Sequence, residues 1–254
     1  MTSREQLWHP PREELTLTSA EVHVWRAALD PPVSCVEQLQ RLLSADELQR
    51  ASRFHFPRDR RRFSVARGVL RDILSRYLGV PPAALAFRYS AYGKPALVDV
   101  VAQEGLRFNI SHAHELALFA ITCGPEVGVD IEYLHRTIAC EEIAERFFSA
   151  RERVSLRAVP EEMKQQAFFN CWTRKEAYIK AHGEGLSLPL DQFDVSLTPG
   201  EPAALLATRV DPHDARRWSL QAVTPGPGYV AALAIEGQAR HLTCWQWREP
   251  HESR

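Results

Sequence analysis

Residues 168–180, Phe-Phe-Asn-Cys-Trp-Thr-Arg-Lys-Glu-Ala-Tyr-Ile-Lys, have the period of an α-helix, and the apolar side of that helix contains a carboxylate. Phe168, Phe169, Trp172 and Ile179 fall on one stripe at 3.6 residues per turn, with Glu176 among them and Lys175 and Lys180 at its flanks. Such a face must pack on a core. An ionised carboxylate held there costs several kcal/mol unless a cation meets it. From this segment alone, a slightly rotated surface helix with a Glu176–Lys180 pair accounts for the pattern equally well.

A second pair of acids adds weight to the buried reading. Val127-Gly128-Val129-Asp130-Ile131-Glu132 alternates as a half-buried strand does, so Val127, Val129 and Ile131 face a core. Asp130 and Glu132 then project together from the other side, about 7 Å apart. Carboxylates that close repel, and one pKa rises unless a cation lies nearby. Exposed strand faces are often acidic, so the pair alone is weak. Together with Glu176 it describes a three-carboxylate Mg²⁺ site, because hard oxygen donors suit an ion that keeps waters and takes further ligands from phosphates.

With these strings in hand the chain resembles the 4′-phosphopantetheinyl transferases of the broad-specificity Sfp type. The resemblance rests on Gly128-Val129-Asp130-Ile131-Glu132, on Arg146-Phe147-Phe148-Ser149, on Trp172 through Lys180, and on Gly183-Glu184-Gly185-Leu186-Ser187-Leu188-Pro189-Leu190. Tyr92-Gly93-Lys94-Pro95 and Phe108-Asn109-Ile110-Ser111-His112 fit upstream, and the blocks run in the family's order over residues 44–195.

The resemblance implies an α+β fold of two similar α/β subdomains, 1–123 and 124–254, packed as a pseudo-dimer with the active site between them. It implies transfer of 4′-phosphopantetheine from coenzyme A to a serine of an apo acyl, peptidyl or aryl carrier protein, releasing 3′,5′-ADP. Asp130, Glu132 and Glu176 would hold Mg²⁺, or Mn²⁺ in its place. Lys180 would meet the α-phosphate and Lys175 would support Glu176 or the pyrophosphate. Glu176 is the first choice of base. Glu152 is a second candidate, although it also reads as the third position of a capping box begun by Ser149. Lys94 would touch the nucleotide end, and Ser111 and His112 the phosphates. Arg50 and Arg53 would take the 3′-phosphate, with Ser64 near the adenine nucleotide, where a basic run such as this otherwise reads as a solvated helix face. The alternatives are a non-catalytic binder of coenzyme A or carrier protein, and a Mg²⁺-dependent pyrophosphohydrolase of coenzyme A.

Composition narrows the classes. A net charge of −1 argues against a general nucleic-acid binder. Five scattered cysteines lack metal-ligand spacing and read as reduced thiols. No apolar run approaches the ~20 residues of a membrane span, and the N-terminus lacks a signal-peptide pattern. The expectation is a soluble, cytoplasmic monomer. Only four of the 31 basic residues are Lys, and Lys94, Lys175 and Lys180 lie inside the matching motifs.

The remaining pattern gives a loose arm over 1–20, a strand over 21–28, a capped helix from Ser44 and a long helix over 58–78. Strands follow at 85–89, 107–110, 116–122 and 127–132, and helices at 138–147, 150–158 and 161–182. Strands return at 193–197, 218–223, 229–235 and 241–247. No repeated motif betrays a duplication.

Overall fold

A computed structural model describes residues 6–12, 15–98, 105–134, 139–183, 185–211 and 213–249 of the 254. Glu184 of the Gly183–Leu190 motif and parts of the N-terminal arm lie outside the described residues. The first half runs β1 (Glu21–Ala28), α1 (Val33–Gln40), α2 (Ala45–Ser52), α3 (Pro57–Leu78), β2 (Phe87–Tyr89), β3 (Pro95–Leu97), β4 (Leu106–Ala113) and β5 (Leu116–Cys123). The second runs β6 (Val127–Tyr133), α4 (Cys140–Phe147), α5 (Ala150–Ala158), α6 (Glu161–His182), β7 (Phe193–Val195), β8 (Leu205–Thr208), β9 (Trp218–Val223) and β10 (Tyr229–Glu236).

Three helices between a first strand and a small hairpin, then two longer strands, occur in both halves. The sheets repeat as well: β1-β5-β4 in one and β6-β10-β9 in the other. The duplication that the sequence hides is therefore plain in the topology of this α+β fold. One strand breaks it. β11 (His241–Gln246) returns to pair in parallel with β1, Glu21 opposite His241. A cut at residue 123 would thus remove a strand from the first sheet.

Each half buries its long helix against its own sheet. Leu70, Ile73 and Leu74 of α3 join Trp25, Phe108 and Phe119 in one core, while Phe168, Tyr178 and Ile179 of α6 join Ala232 and Ala234 in another. A third core lies between the sheets, where Val22, Val24 and Leu118 meet Val129, Ile131 and Leu233. The expected inward face of β6, with Val127, Val129 and Ile131, is that seam. The two halves are welded by apolar burial.

The amphipathic reading of α6 needs correcting. The helix is enclosed by β6, β10, α4, α5 and β7, so most of its circumference is buried, including Thr173, Arg174 and Lys175. From residue 167 to 181 its half-exposed residues are Trp172, Glu176 and Lys180, spaced four apart. The apolar stripe itself holds, with Phe168, Phe169 and Ile179 buried. Trp172 packs on Phe147 and Phe168, with ring centroids 5.9 and 6.1 Å apart.

Candidate active site

Asp130 is positioned by a close strand–helix contact. Gly128 of β6 lies directly under α6, and a Cβ there would come 2.1 Å from the Ala177 carbonyl oxygen and 2.4 Å from the Ala181 nitrogen. Only glycine lets the helix backbone sit on the strand. The next outward residue of β6, Asp130, is thereby brought beside Lys180 and Glu176. From the other half, Asn109 of β4 accepts a hydrogen bond from the Val129 N–H at 3.0 Å, which registers β4 against β6. Ser111, two residues on, then reaches the same place.

Asp130 is buried and its two oxygens differ sharply. Oδ1 accepts from the Lys180 ammonium at 2.6 Å and from the Ser111 hydroxyl at 2.9 Å. Lys180 also donates to Ser111 Oγ at 2.9 Å, closing a three-membered network. Oδ2 is buried with no hydrogen-bond partner. Glu176 is half-buried beside this group. Burial raises its pKa first and the Asp130 charge second, with Lys180 opposing.

These features fit a hard divalent cation in part. An orphaned buried carboxylate oxygen and a second carboxylate strained by its charge are both relieved by such an ion. Among the described residues, however, no group of three or more His, Cys, Asp or Glu side chains is gathered as a finished metal site. Lys180 occupies one oxygen of Asp130, and Glu132 is half-buried at the next outward position of the strand. The expected triad is present as two facing acids with a third beside them.

Lys175 and Glu152 belong elsewhere, a correction to both expectations. Lys175 is fully buried and donates to the Leu190 and Phe193 carbonyls at 2.6 Å each. It pairs with Glu152 at 2.9 Å. Glu152 is 1% exposed and also accepts from the Ser149 and Val195 N–H groups at 2.9 and 2.8 Å. One residue's step around α6 separates Lys175 from Glu176 by ~100°, enough to turn it from the cleft into the core. The pair ties α5, α6 and β7 together. Ser64 is likewise sealed inside α3, donating to the Arg60 carbonyl at 3.0 Å, and offers no open hydroxyl to a nucleotide.

The remaining expected residues lie at three separate places. His112 is exposed near the end of β4. Its pKa is lowered, by desolvation first and then by the Lys180 and Arg62 charges. Lys94 borders a cavity of about 470 Å³ with Arg107, Glu126 and His182. Arg50 and Arg53 are exposed on a separate hollow with Asp46 and Phe54. Arg50 nevertheless lies over the ring of Tyr89, at 5.8 Å, and Tyr89 lines the Lys94 cavity.

Three features were missed in the sequence. His182, in the last turn of α6, lines the cavity while Asp214 contacts its Nε2 at 3.3 Å and Trp218 stacks at 5.1 Å. Its lone position beside a C-terminal glycine carried no signal. Glu126 faces the same cavity and read only as a polar residue before a strand. Glu47, three residues after the cap at Ser44, is buried between Arg67 and Arg71, each 2.7 Å away. An Arg at i and i+4 on a helix with an acid on the preceding one was the available clue.

Comparison with known proteins agrees with this geometry. A model of the 4′-phosphopantetheinyl transferase superfamily matches residues 126–234, and one described as 4′-phosphopantetheinyl transferase, N-terminal, matches residues 27–123. The chain is 45% identical to the 4′-phosphopantetheinyl transferase HetI of a Nostoc species, over 96% of this chain and 99% of that one. It is 33% identical to the 4′-phosphopantetheinyl transferase Sfp of Bacillus subtilis, over 66% of this chain and 74% of that one. A putative 4′-phosphopantetheinyl transferase of a Synechocystis species is 33% identical over 78% and 77%. Two halves that share one topology, Asp130, Glu176 and Lys180 gathered beside Ser111 of the other half, and a relative matched over nearly its full length lead to one conclusion: the chain belongs to the 4′-phosphopantetheinyl transferase superfamily.

Proposed function

We propose that this enzyme moves 4′-phosphopantetheine from coenzyme A to a serine of an apo carrier protein, acyl, peptidyl or aryl, in a reaction that requires Mg²⁺ or Mn²⁺. The observation that carries the metal requirement is Asp130 Oδ2, buried without a partner beside a second carboxylate and beneath an ammonium.

The serine hydroxyl attacks the β-phosphorus of coenzyme A. A P–O bond to the serine forms, the bond to the bridging oxygen breaks, and 3′,5′-ADP leaves. Asp130 Oδ2 and Glu176 would hold the divalent ion, with Glu132 as a further ligand. That ion supplies charge neutralisation on the pyrophosphate oxygens. Lys180, whose ammonium is fixed by Asp130 and Ser111, stabilises negative charge on the leaving side. Glu176 accepts the serine proton. It is half-exposed on α6 beside Asp130 and Lys180, where a serine hydroxyl could reach it. His112 and Ser111 border the phosphates, and the Lys94 cavity receives the nucleotide end.

Both walls of the cleft come from one chain, which supports a monomer as the working unit. No helix among the described residues is long and apolar enough to cross a membrane. A cytoplasmic location belongs to the same proposal. The test is intact mass of several apo-carrier proteins after incubation with coenzyme A, Mg²⁺ and the protein. Gain of one phosphopantetheine on a carrier supports transfer. Cleavage of coenzyme A with unmodified carriers would make the protein a pyrophosphohydrolase, and neither change would leave it a binder.

A further inference from the structure

The run of arginines in the first turns of α3 is not a solvated face at Arg62. Its side chain is 14% exposed and its guanidinium is taken by two partners. Nε lies 3.2 and 3.1 Å from the two Asp30 oxygens, just beyond β1, and Nη1 donates to the His114 carbonyl. His114 and Glu115 form the two-residue turn between β4 and β5. His114 has a φ of +50°, at a hairpin position where glycine is usual.

That turn is held from both halves. From the first come Arg62 and the Leu29 N–H, which donates to the Glu115 carbonyl at 2.8 Å. From the second, the Tyr229 hydroxyl accepts from the Glu115 N–H at 3.4 Å. The Tyr133 ring stacks on His114, with centroids 4.5 Å and planes 8° apart. A glycine would take the backbone more easily but could not make the stack. A left-handed residue kept by contacts on two sides marks a conformation that is imposed. Ser111 lies three residues before this turn and two after Asn109, whose carboxamide registers β4 on β6. Its hydroxyl bonds Asp130 Oδ1 and the Lys180 ammonium, so a shift of β4 would disturb the contact that fixes Lys180.

We propose that Arg62 is a positioning residue for transfer: it grips the His114 carbonyl from one half while Tyr133 holds the ring from the other, and so sets Ser111 against Asp130 and Lys180. The inference rests on the transfer reading above. Arg62 acts through Ser111 and not on the phosphates, because its guanidinium is already occupied.

A double-mutant cycle tests it, with kcat read at saturating coenzyme A and Mg²⁺ and the urea midpoint of each variant measured alongside. Lysine keeps the charge of Arg62 but has no fork to reach Asp30 and His114 together. Arg62→Lys should lower kcat on the order of ten-fold, since misplacement by about an ångström can cost ~10²-fold. In a Ser111→Ala background the same change should cost less than about two-fold, because the hydroxyl that it positions is gone. His114→Gly is the second variant, chosen because glycine accepts this φ and escapes the strain. Its melting temperature should hold or rise while kcat falls several-fold, again only where Ser111 is present. Either variant keeping full kcat when folded overturns the proposal. So does a loss of the same size with and without Ser111, the mark of an arginine that serves the fold alone. An unaltered chain that transfers nothing removes the transfer reading and this inference with it, whereas a chain that transfers but shows additive losses removes this inference alone.

Discussion

Lys180 Nζ stands 2.6 Å from Asp130 Oδ1, while the other oxygen of Asp130 is buried and unpartnered. A carboxylate half neutralised by an ammonium and half bare is an unfinished site, because the bare oxygen has lost water without gaining a donor. Asp130→Asn should therefore cut transfer by on the order of 10²-fold or more while leaving the fold intact. Mg²⁺ with coenzyme A should raise the melting temperature of the unaltered protein and not that of the variant, since only binding to the native state stabilises it. Near-normal turnover of Asp130→Asn at limiting Mg²⁺ would end the metal assignment. Glu176→Gln should also lose turnover, but keep measurable coenzyme A binding.

A different outcome is expected at Lys175. Its ammonium is sealed with Glu152 and two carbonyls, and Phe193 stands under it at 4.1 Å. Removing one partner of a buried ion pair costs about 3–5 kcal/mol, because the survivor stays charged and unpaired. Lys175→Met should be destabilised on that scale in urea, and Glu152→Gln should be destabilised as well, despite keeping the shape of a capping residue. The double variant should recover part of the loss. Folded Lys175→Met should keep its KM for coenzyme A, so a raised KM without a drop in stability would return this lysine to the cleft.

Local pattern made most of the elements legible, and long-range contact decided the rest. The alternation of β6 and the period of α6 are properties of neighbours in sequence, and both elements stand within a residue or so of their expected bounds. Which side of α6 is open is not a local property. It depends on β10, α5 and β7 arriving from elsewhere, and so the burial of Arg174 and Lys175, outside the apolar stripe, was not legible. Asp130, Glu176 and Lys180 could be named from motifs, whereas Glu126 and His182 could not. Their meaning comes from Lys94, Arg107 and Asp214, far from them in sequence. The duplication was invisible because it is kept in strand order and not in residues.

Acid should weaken the first half through His23. The ring is buried, its Nδ1 2.7 Å from the Tyr77 hydroxyl, and that hydroxyl already accepts from Trp25 Nε1 at 2.8 Å. Burial holds the His23 pKa down at about 4, from 6.5, with Glu21 opposing. A folded pKa below the unfolded one means that protonation favours unfolding. Its contribution is complete above pH 6.5 and is lost as pH falls toward 4. The loss is at most ~3 kcal/mol. Urea midpoints at pH 7 and pH 4.5 should differ less in His23→Gln than in the unaltered protein, and an equal difference would exonerate this histidine.

The sharpest steric prediction concerns Gly128. Its neighbours across the gap are the carbonyl of Ala177 and the nitrogen of Ala181, both helix backbone, so no side-chain rotation can make room for a methyl. Gly128→Ala must lift α6 from β6. Overpacking of this kind costs about 1–3 kcal/mol or more, and here the strain falls on the contact that sets Asp130 against Lys180 and Glu176. We expect a lower melting temperature and a larger loss of transfer than the stability change explains, because a displacement of about an ångström at the reacting groups can cost on the order of 10²-fold. Ala232→Gly, in the middle of β10 opposite Asp130, serves as the control: it should lose stability on a similar scale and far less transfer per unit of stability. Equal loss of transfer in the two variants, matched for stability, would mean that the close approach at Gly128 serves the fold alone.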